Sequence, residues 1–145
     1  MNLARVAENL IQTVWVGALW SIGYVVAPTL FAQLDSQTAG RIAGELFTIV
    51  AWLSMACGAL LFLALRINTH SNSSAMLKSR LILLMMTIIG ASEWIVRPMM
   101  EAARLPDGTP GDGFGLWHGV SALLYLLASL LAIVLVAVRN RSAGC

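Results

Sequence analysis

The chain has 145 residues, of which 59% are hydrophobic and 11% charged, and its mean hydropathy is +0.81. Charged residues make up roughly 25% of an average soluble domain, so this composition excludes an ordinary water-soluble protein. The net charge is only +2, and we interpret the basic residues as orienting the chain in a membrane rather than binding nucleic acid. No stretch matches a nucleotide-binding loop, a zinc motif or a nucleophile elbow, so the sequence names neither a substrate nor a reaction.

The first predicted membrane helix runs from Leu3 to Phe31. It contains most of the 26 consecutive uncharged residues between Glu8 and Asp35. A hydrocarbon core of ~30 Å needs only about 20 residues at a rise of ~1.5 Å per residue. The run is longer than the core of a cleaved signal peptide, which favours a membrane helix. Because proline removes a backbone donor and clashes one turn back, Pro28 should bend or stop the outer end of this helix.

The second predicted helix runs from Ser36 to Arg66, with Asp35 or Ser36 as its N-cap. Twenty uncharged residues separate Glu45 from Arg66, which again suffices for one crossing. The short polar segment from Asn68 to Ala75 then predicts a cytoplasmic turn.

The third helix is predicted from Met76 to Met100 and the fourth from Phe114 to Val138. A stretch rich in glycine and proline separates them and should form an outer loop. With no repeat and no room for a second domain, the sequence predicts an all-α fold. We expect one transmembrane domain over residues 1–145, an antiparallel bundle of four transmembrane helices.

The charges between these helices form two unlike sets. Loops rich in Lys and Arg stay in the cytoplasm, so both termini and the turn after the second helix should be cytoplasmic. The predicted cytoplasmic side carries Arg5, Arg66, Lys78, Arg80, Arg139 and Arg141 against Glu8, and the outer side carries Arg41, Arg97 and Arg104 against Asp35, Glu45, Glu93, Glu101, Asp107 and Asp112.

An acidic residue is predicted inside the membrane in the third helix. Only twelve residues separate Arg80 from Glu93, too few to cross the core, so Glu93 should lie ~7 Å below the outer boundary. An acid at that depth is costly unless it is paired, protonated or open to a water-filled cavity. Arg97 and Glu101 follow at i,i+4 spacing and can form a ladder with it. The pair either belongs to a functional site or only holds the bundle together.

Polar residues of the other helices are predicted at the same depth. Glu45 lies at the start of the second span, and His118 and Ser121 lie near the start of the fourth. A neutral imidazole can hydrogen-bond a carboxylate, take up a proton or bind a metal. We therefore expect Glu45, Glu93, Arg97, His118 and Ser121 to form a ligand-binding cluster on the outer side.

Two methionines add a metal hypothesis. Met99 and Met100 are predicted near the level of His118, and thioether with imidazole suits Cu(I). Haem b would need His118 with a methionine, or a pair of ligands across a dimer, because His70 is predicted on the opposite side of the membrane.

Two glycine pairs indicate where helices approach closely. Gly40 with Gly44, and Gly115 with Gly119, are small-xxx-small patterns at the outer ends of their helices, and such spacing lets backbones touch.

These motifs resemble a known family. The residues are Trp20-x-x-Gly23-Tyr24-x-x-Ala27-Pro28-Thr29-Leu30-Phe31, Ala39-Gly40-x-Ile42-x-Gly44-x-Leu46-Phe47 and Phe114-x-x-x-His118-Gly119-x-Ser121. They are similar to small bacterial inner-membrane proteins of unknown function that are grouped with transmembrane protein 205. The resemblance implies four helices and handling of soft metals or secretion, and it carries over Pro28, Gly40, Gly44, His118 and Ser121.

A more distant resemblance concerns the aromatic and glycine run that ends at Phe31. It is similar to four-helix haem-synthesis oxidases of the HemJ type and to copper-resistance D membrane domains. Those proteins use histidines within the membrane, whereas the first helix here has none.

Three hypotheses for function therefore stand. In the first, the outer polar cluster of a non-enzymatic membrane protein binds a small ligand, a metal ion or a partner. In the second, the chain handles copper or haem through His118. In the third, it is a structural accessory subunit, and its partners beyond the lipid bilayer are copies of itself or a larger membrane complex.

Overall fold

The computed structural model describes residues 3–67 and 73–143, and the regular elements within these ranges are helices. Four long helices follow one another: α1 (Leu3–Gln33), α2 (Ser36–Ile67), α3 (residues 73–102) and α4 (Phe114–Ala143). The all-helical prediction is confirmed, as are four helices of spanning length. The helix α3 begins three residues before the predicted start, and α4 continues five residues beyond its predicted end.

Two predictions at the other end of the bundle lie outside the described residues. The first is the predicted turn from Asn68 to Ala75, of which residues 68–72 are not described. The second is the predicted position of His70. The observed helix α3 begins within the predicted turn, at Ser73.

The apolar side chains point outward as well as inward. In the most apolar window of each helix, between 17% and 33% of the residues are buried. Large apolar side chains such as Ile49, Leu60, Leu116 and Leu123 are exposed on α2 and α4. A soluble protein rarely leaves so much continuous apolar surface in water. The four helices are long and apolar enough to cross a membrane.

The interior is a single cluster to which all four helices contribute. Trp15 and Leu19 from α1 and Met85 from α3 are fully buried in it. Ala128 and Ala132 on α4 are also fully buried, and their small side chains let neighbouring helices pack close to α4. This core occupies the part of the bundle that carries no charge.

Two helices contain a wider, π-helical turn. In α1 it covers Ile22–Val26, and in α3 it covers Ser92–Val96. We call them the first and second π-turns. Each lies two residues before a proline, Pro28 or Pro98.

The prolines explain the position of these turns. A proline ring clashes with the carbonyl four residues back, which belongs to Tyr24 for Pro28 and to Trp94 for Pro98, and both carbonyls lie within the π-turns. The wider turn relieves the clash and lets the helix continue. Of the two expected effects of Pro28, bending or stopping α1, the helix shows that it is not stopped, because it runs on to Gln33.

One end of the bundle holds the α1–α2 connection and the α3–α4 loop, and we call it the loop end. Asp35 caps α2 as predicted, since its carboxylate accepts hydrogen bonds from the backbone N–H of Gln37 and Thr38 at 3.1 and 2.9 Å. The Gln37 side-chain amide in turn donates to the Asp107 carbonyl at 2.9 Å. Gly108 takes a positive φ of 82° at this contact, where a Cβ would collide with Gln37.

Candidate functional site: a cavity beside a buried ion pair

The second π-turn positions Glu93. In this turn the backbone N–H of Arg97 donates to the Ser92 carbonyl, five residues back. The widening turns the segment so that Ser92 and Glu93 both line a cavity between the helices. Wider turns of this kind are frequent at functional sites.

Glu93 and Arg97 form a close ion pair. The Arg97 Nη1 donates to Glu93 Oε1 at 2.6 Å, and the two side chains are only 25% and 10% exposed for Arg97 and Glu93 respectively. Arg97 Nε also donates to Glu101 Oε1 at 2.9 Å, and Glu101 is more than half exposed. The predicted ladder is thus present, with its acidic inner member largely shielded from solvent.

The helix α2 contributes Thr48 to this pair. The Thr48 hydroxyl lies 2.7 Å from Glu93 Oε1, to which it donates, and 3.1 Å from the Gly44 carbonyl. A carboxylate with two hydrogen-bond donors is stabilised where water is scarce. The Arg97 guanidinium packs against Gly44, whose Cβ position lies 3.5 Å from Arg97 Nη2, an ordinary van der Waals distance.

Glu45 does not lie in this cluster, contrary to the sequence expectation. It pairs loosely with Arg41 at 4.0 Å, and the two side chains are 66% and 72% exposed. The physical reason is helical phase. Successive residues project about 100° apart, so the face that presents Gly44 and Thr48 to α3 turns Glu45 away.

The glycine pairs also differ from their predicted role. Gly40 and Gly44 face arginine side chains, with Arg104 Nη2 3.7 Å from the Cβ position of Gly40, rather than another backbone. Within residues 3–67 and 73–143, and apart from their own helix backbone and chain neighbours, no atom lies within 4 Å of the Cβ positions of Gly115 and Gly119. Close approaches occur at other glycines: a Cβ at Gly23 in the first π-turn would overlap the Tyr125 ring of α4, and a Cβ at Gly58 on α2 would meet the Met86 side chain of α3.

The cavity has a volume of about 410 Å³, which is within the usual range for small-molecule sites. All four helices line it, and both π-turns contribute. Its polar wall contains Glu93, Arg97, His118, Ser92 and Ser121, and most of the remaining lining is apolar. Four of the five residues predicted as a ligand-binding cluster therefore share one cavity.

The α4 side of the cavity carries His118 and Ser121. The Ser121 hydroxyl lies 3.3 Å from the Ser92 hydroxyl and so links α4 to the second π-turn. The His118 ring stacks on Phe114, with centroids 6.0 Å apart and planes 8° apart. It is exposed and has no hydrogen bond to another residue within the described ranges.

The two methionines separate. Met100 lines the cavity together with His118, whereas Met99 is exposed outside it. The copper hypothesis is thereby limited to His118 with Met100, since adjacent residues on a helix diverge. Among residues 3–67 and 73–143, no group of three or more His, Cys, Asp or Glu side chains is placed to hold a metal ion.

Sequence reasoning did not find Thr48, Ser92 or Tyr24 as site residues. A signal for Thr48 was present, because it follows Gly44 at i+4 and shares its helix face. For the other two, Pro28 and Pro98 indicated only that the helix is disturbed nearby, not that a wider turn precedes each proline.

Four apolar helices around a cavity with an ion pair in its wall define a multi-pass membrane protein. The sequence matches the domain of unknown function DUF4149 over residues 10–106, more than half of the chain, and the protein belongs to that family. No curated protein and no solved structure matches it.

Proposed function

We propose that this protein binds a small ligand in the cavity beside Glu93 and Arg97 and does not catalyse a reaction. The observation that supports this most directly is the cavity itself. Its volume is about 410 Å³, and its mostly apolar lining includes polar side chains from both α3 and α4. Concave apolar sites with a few convergent polar groups are the usual form of a ligand site.

We also propose an arrangement in the membrane. The helices alternate in direction, both termini are cytoplasmic, and the loop end faces the outside of a bacterial inner membrane. The distribution of Lys and Arg supports this orientation. The hydrogen bond from Gln37 to Asp107 supports it too, because it joins both proposed outer connections at one end of the bundle.

The family of unknown function fits a grouping with transmembrane protein 205, which we propose on the aromatic, glycine and histidine motifs quoted above. Homo-oligomers are a further proposal. The exposed glycines Gly115 and Gly119 support them, because α4 presents there a small-residue face without a neighbour in the described chain.

The binding proposal is tested by thermal unfolding of the purified protein against a panel of small ligands. A ligand that binds the native state raises its stability by RT ln(1 + [L]/Kd). Ala51 is buried in the cavity wall, so Ala51→Phe should abolish the ligand-induced rise in Tm. Ala59 is exposed on the same helix, so Ala59→Phe should leave the rise unchanged.

A milder variant, Ala51→Val, covers the case in which Ala51→Phe does not fold. It should reduce the rise in Tm in proportion to the space it removes. If neither the wild type nor Ala51→Val responds to any ligand of the panel, or if both respond equally, the cavity does not bind ligands. The ion pair then has only the structural role described by the accessory-subunit hypothesis.

A further inference from the structure

The position of the cavity mouth follows from which lining residues are exposed. The lining residues of α2 and α3 are all buried or half-buried. The exposed ones are Tyr24 on α1 and His118, Ala122 and Leu126 on α4. The cavity therefore opens between the first and the last helix, on the side surface of the bundle.

The two helices are joined just beyond this mouth, away from the loop end. The Tyr125 hydroxyl donates to the Leu19 carbonyl, and the Tyr125 ring fills the space beside Gly23. The Tyr24 and Tyr125 rings lie 6.2 Å apart at the same level. This contact fixes one edge of the opening, while Tyr24 and His118 border it from opposite helices.

The cavity wall changes from polar to apolar with distance from the loop end. The lining residues nearest that end are Arg97 and His118 with Met100, followed by Ser92 and Ser121, and the deeper wall consists mostly of apolar side chains such as Ile88. A lipid molecule has the same gradient, with a polar head near the membrane surface and an apolar body toward the bilayer centre.

The charges of the wall cancel. Glu93 neutralises Arg97 at 2.6 Å, and Glu101 accepts a second hydrogen bond from the same guanidinium. A charged head group would find no opposite charge in this wall that is not already paired. His118, in its neutral form, offers one donor and one acceptor, and it has no hydrogen bond within the described part of the chain.

We infer that the cavity takes a neutral, lipid-soluble molecule with a hydroxyl or carbonyl head, which enters sideways from the bilayer between α1 and α4. The head forms hydrogen bonds with His118 and with the Ser92 and Ser121 hydroxyls, and the apolar body extends toward Ile88. This inference rests on the proposed function and adds to it the class of ligand and the route of access.

The test uses three photoreactive probes with the same alkyl chain in liposomes that contain the full-length protein. One probe is a long-chain alcohol, one a fatty acid and one an alkyl phosphate. Labelled residues are mapped by mass spectrometry. The alcohol should label the cavity wall several-fold more than either charged probe, and an excess of the unlabelled alcohol should compete.

A matched pair of variants tests the route. Ala122 lies at the mouth, and its neighbour Leu123 is exposed on the same helix but does not line the cavity. Ala122→Trp should reduce labelling of the wall at least several-fold, and Leu123→Trp should leave it unchanged. Both positions are exposed, so neither substitution has to be accommodated in the core.

The outcomes separate this inference from the proposed function. Equal labelling in the two variants would mean that the probes mark only surrounding lipid, and preferential labelling by a charged probe would overturn the neutral head group. If the wild type responds to a water-soluble ligand in the thermal assay while the alcohol does not label the wall, the cavity binds ligands but this class and route are wrong.

Discussion

Removing Arg97 should destabilise the protein more than removing its partner Glu93. In Arg97→Met the carboxylate of Glu93, whose side chain is 10% exposed, keeps the Thr48 hydroxyl as its one donor among the described residues. Loss of one member of a buried pair costs about 3–5 kcal/mol. Because some exposure remains, we expect a loss near the lower limit, about 3 kcal/mol in the free energy of unfolding.

Glu93→Gln should have a smaller effect, for two reasons. Arg97 is more exposed than Glu93, and it keeps its hydrogen bond to Glu101 at 2.9 Å. The glutamine can still accept from Thr48. We expect a loss of about 1 kcal/mol, close to that of one hydrogen bond.

The chain provides its own control for this comparison. Arg41 and Glu45 have the same residue types and spacing, but their side chains are 72% and 66% exposed and 4.0 Å apart. Arg41→Met should therefore change stability by less than about 0.5 kcal/mol. The double variant Glu93→Leu with Arg97→Met should regain most of the stability lost in Arg97→Met, because no unpaired charge remains buried.

The measurement is equilibrium unfolding by denaturant in mixed micelles, with the same detergent composition for every variant. The predicted order of stability loss is Arg97→Met, then Glu93→Gln, then Arg41→Met. The reasoning is refuted if Arg41→Met is as damaging as Arg97→Met, or if the double variant is less stable than Arg97→Met alone.

Three further predictions concern single contacts. Thr48→Val keeps the shape of the side chain but removes its hydrogen bond to Glu93, and it should lower the free energy of unfolding by about 1–2 kcal/mol in the same assay. Thr48→Ser keeps the hydroxyl and should lower the free energy of unfolding much less. Equal losses in the two variants would contradict the role of the hydroxyl. Gly23→Ala places a Cβ against the Tyr125 ring of α4 and should lower the free energy of unfolding by about 1–3 kcal/mol. The control Gly17→Ala, whose Cβ meets no atom of the described residues within 4 Å, should leave the stability unchanged or raise it. An unchanged stability of Gly23→Ala would show that α1 and α4 are less close there. Hydrogen bonds, first that from the backbone N–H of Thr38, lower the pKa of Asp35 below its ordinary value of 3.8. A lowered folded-state pKa means that the carboxylate stabilises the native state above pH 3.8 and loses this effect as the pH falls through the lowered pKa. The difference in Tm between the wild type and Asp35→Ala should therefore narrow below pH 3.8, and a constant difference would exclude a charged cap.

The helices could be predicted closely because one requirement dominates them. A span must be about 20 residues long and nearly free of charge, so uncharged runs such as those after Glu8 and Asp112 set the positions of the helices. The N-cap at Asp35 could be predicted equally well, since a short acidic side chain before a helix accepts hydrogen bonds from the first backbone N–H groups of that helix.

The level of the site residues along the bundle could be predicted, but the direction of their side chains could not. Glu93 and Arg97 lie one turn apart on one helix, so their pairing follows from spacing alone. Glu45 was placed at the right level and on the wrong face. The sequence could not fix the rotation of α2, because that helix is apolar on most sides.

The π-turns account for much of the remaining difference. Each π-turn changes the directions in which the side chains before and after it point relative to one another. A regular α-helix that places the side chain of Ser92 correctly therefore points the side chain of Met100 in the wrong direction. Pro28 and Pro98 indicated a disturbance but not its form, since a proline can kink a helix, end it or follow a wider turn. In the same way, the spacing of Gly40 and Gly44 indicated room beside the helix but not that arginines would occupy it.

Native mass spectrometry of the protein released from bilayer nanodiscs tests the binding claim most directly. The wild type should retain a bound species of defined mass that survives collisional removal of the surrounding lipid, and Ala59→Phe should retain it as well. Ala51→Phe should lose it while remaining folded by its helical circular dichroism. Release of the wild type as bare protein under the same conditions, or an identical adduct on folded Ala51→Phe, would contradict a ligand in this cavity.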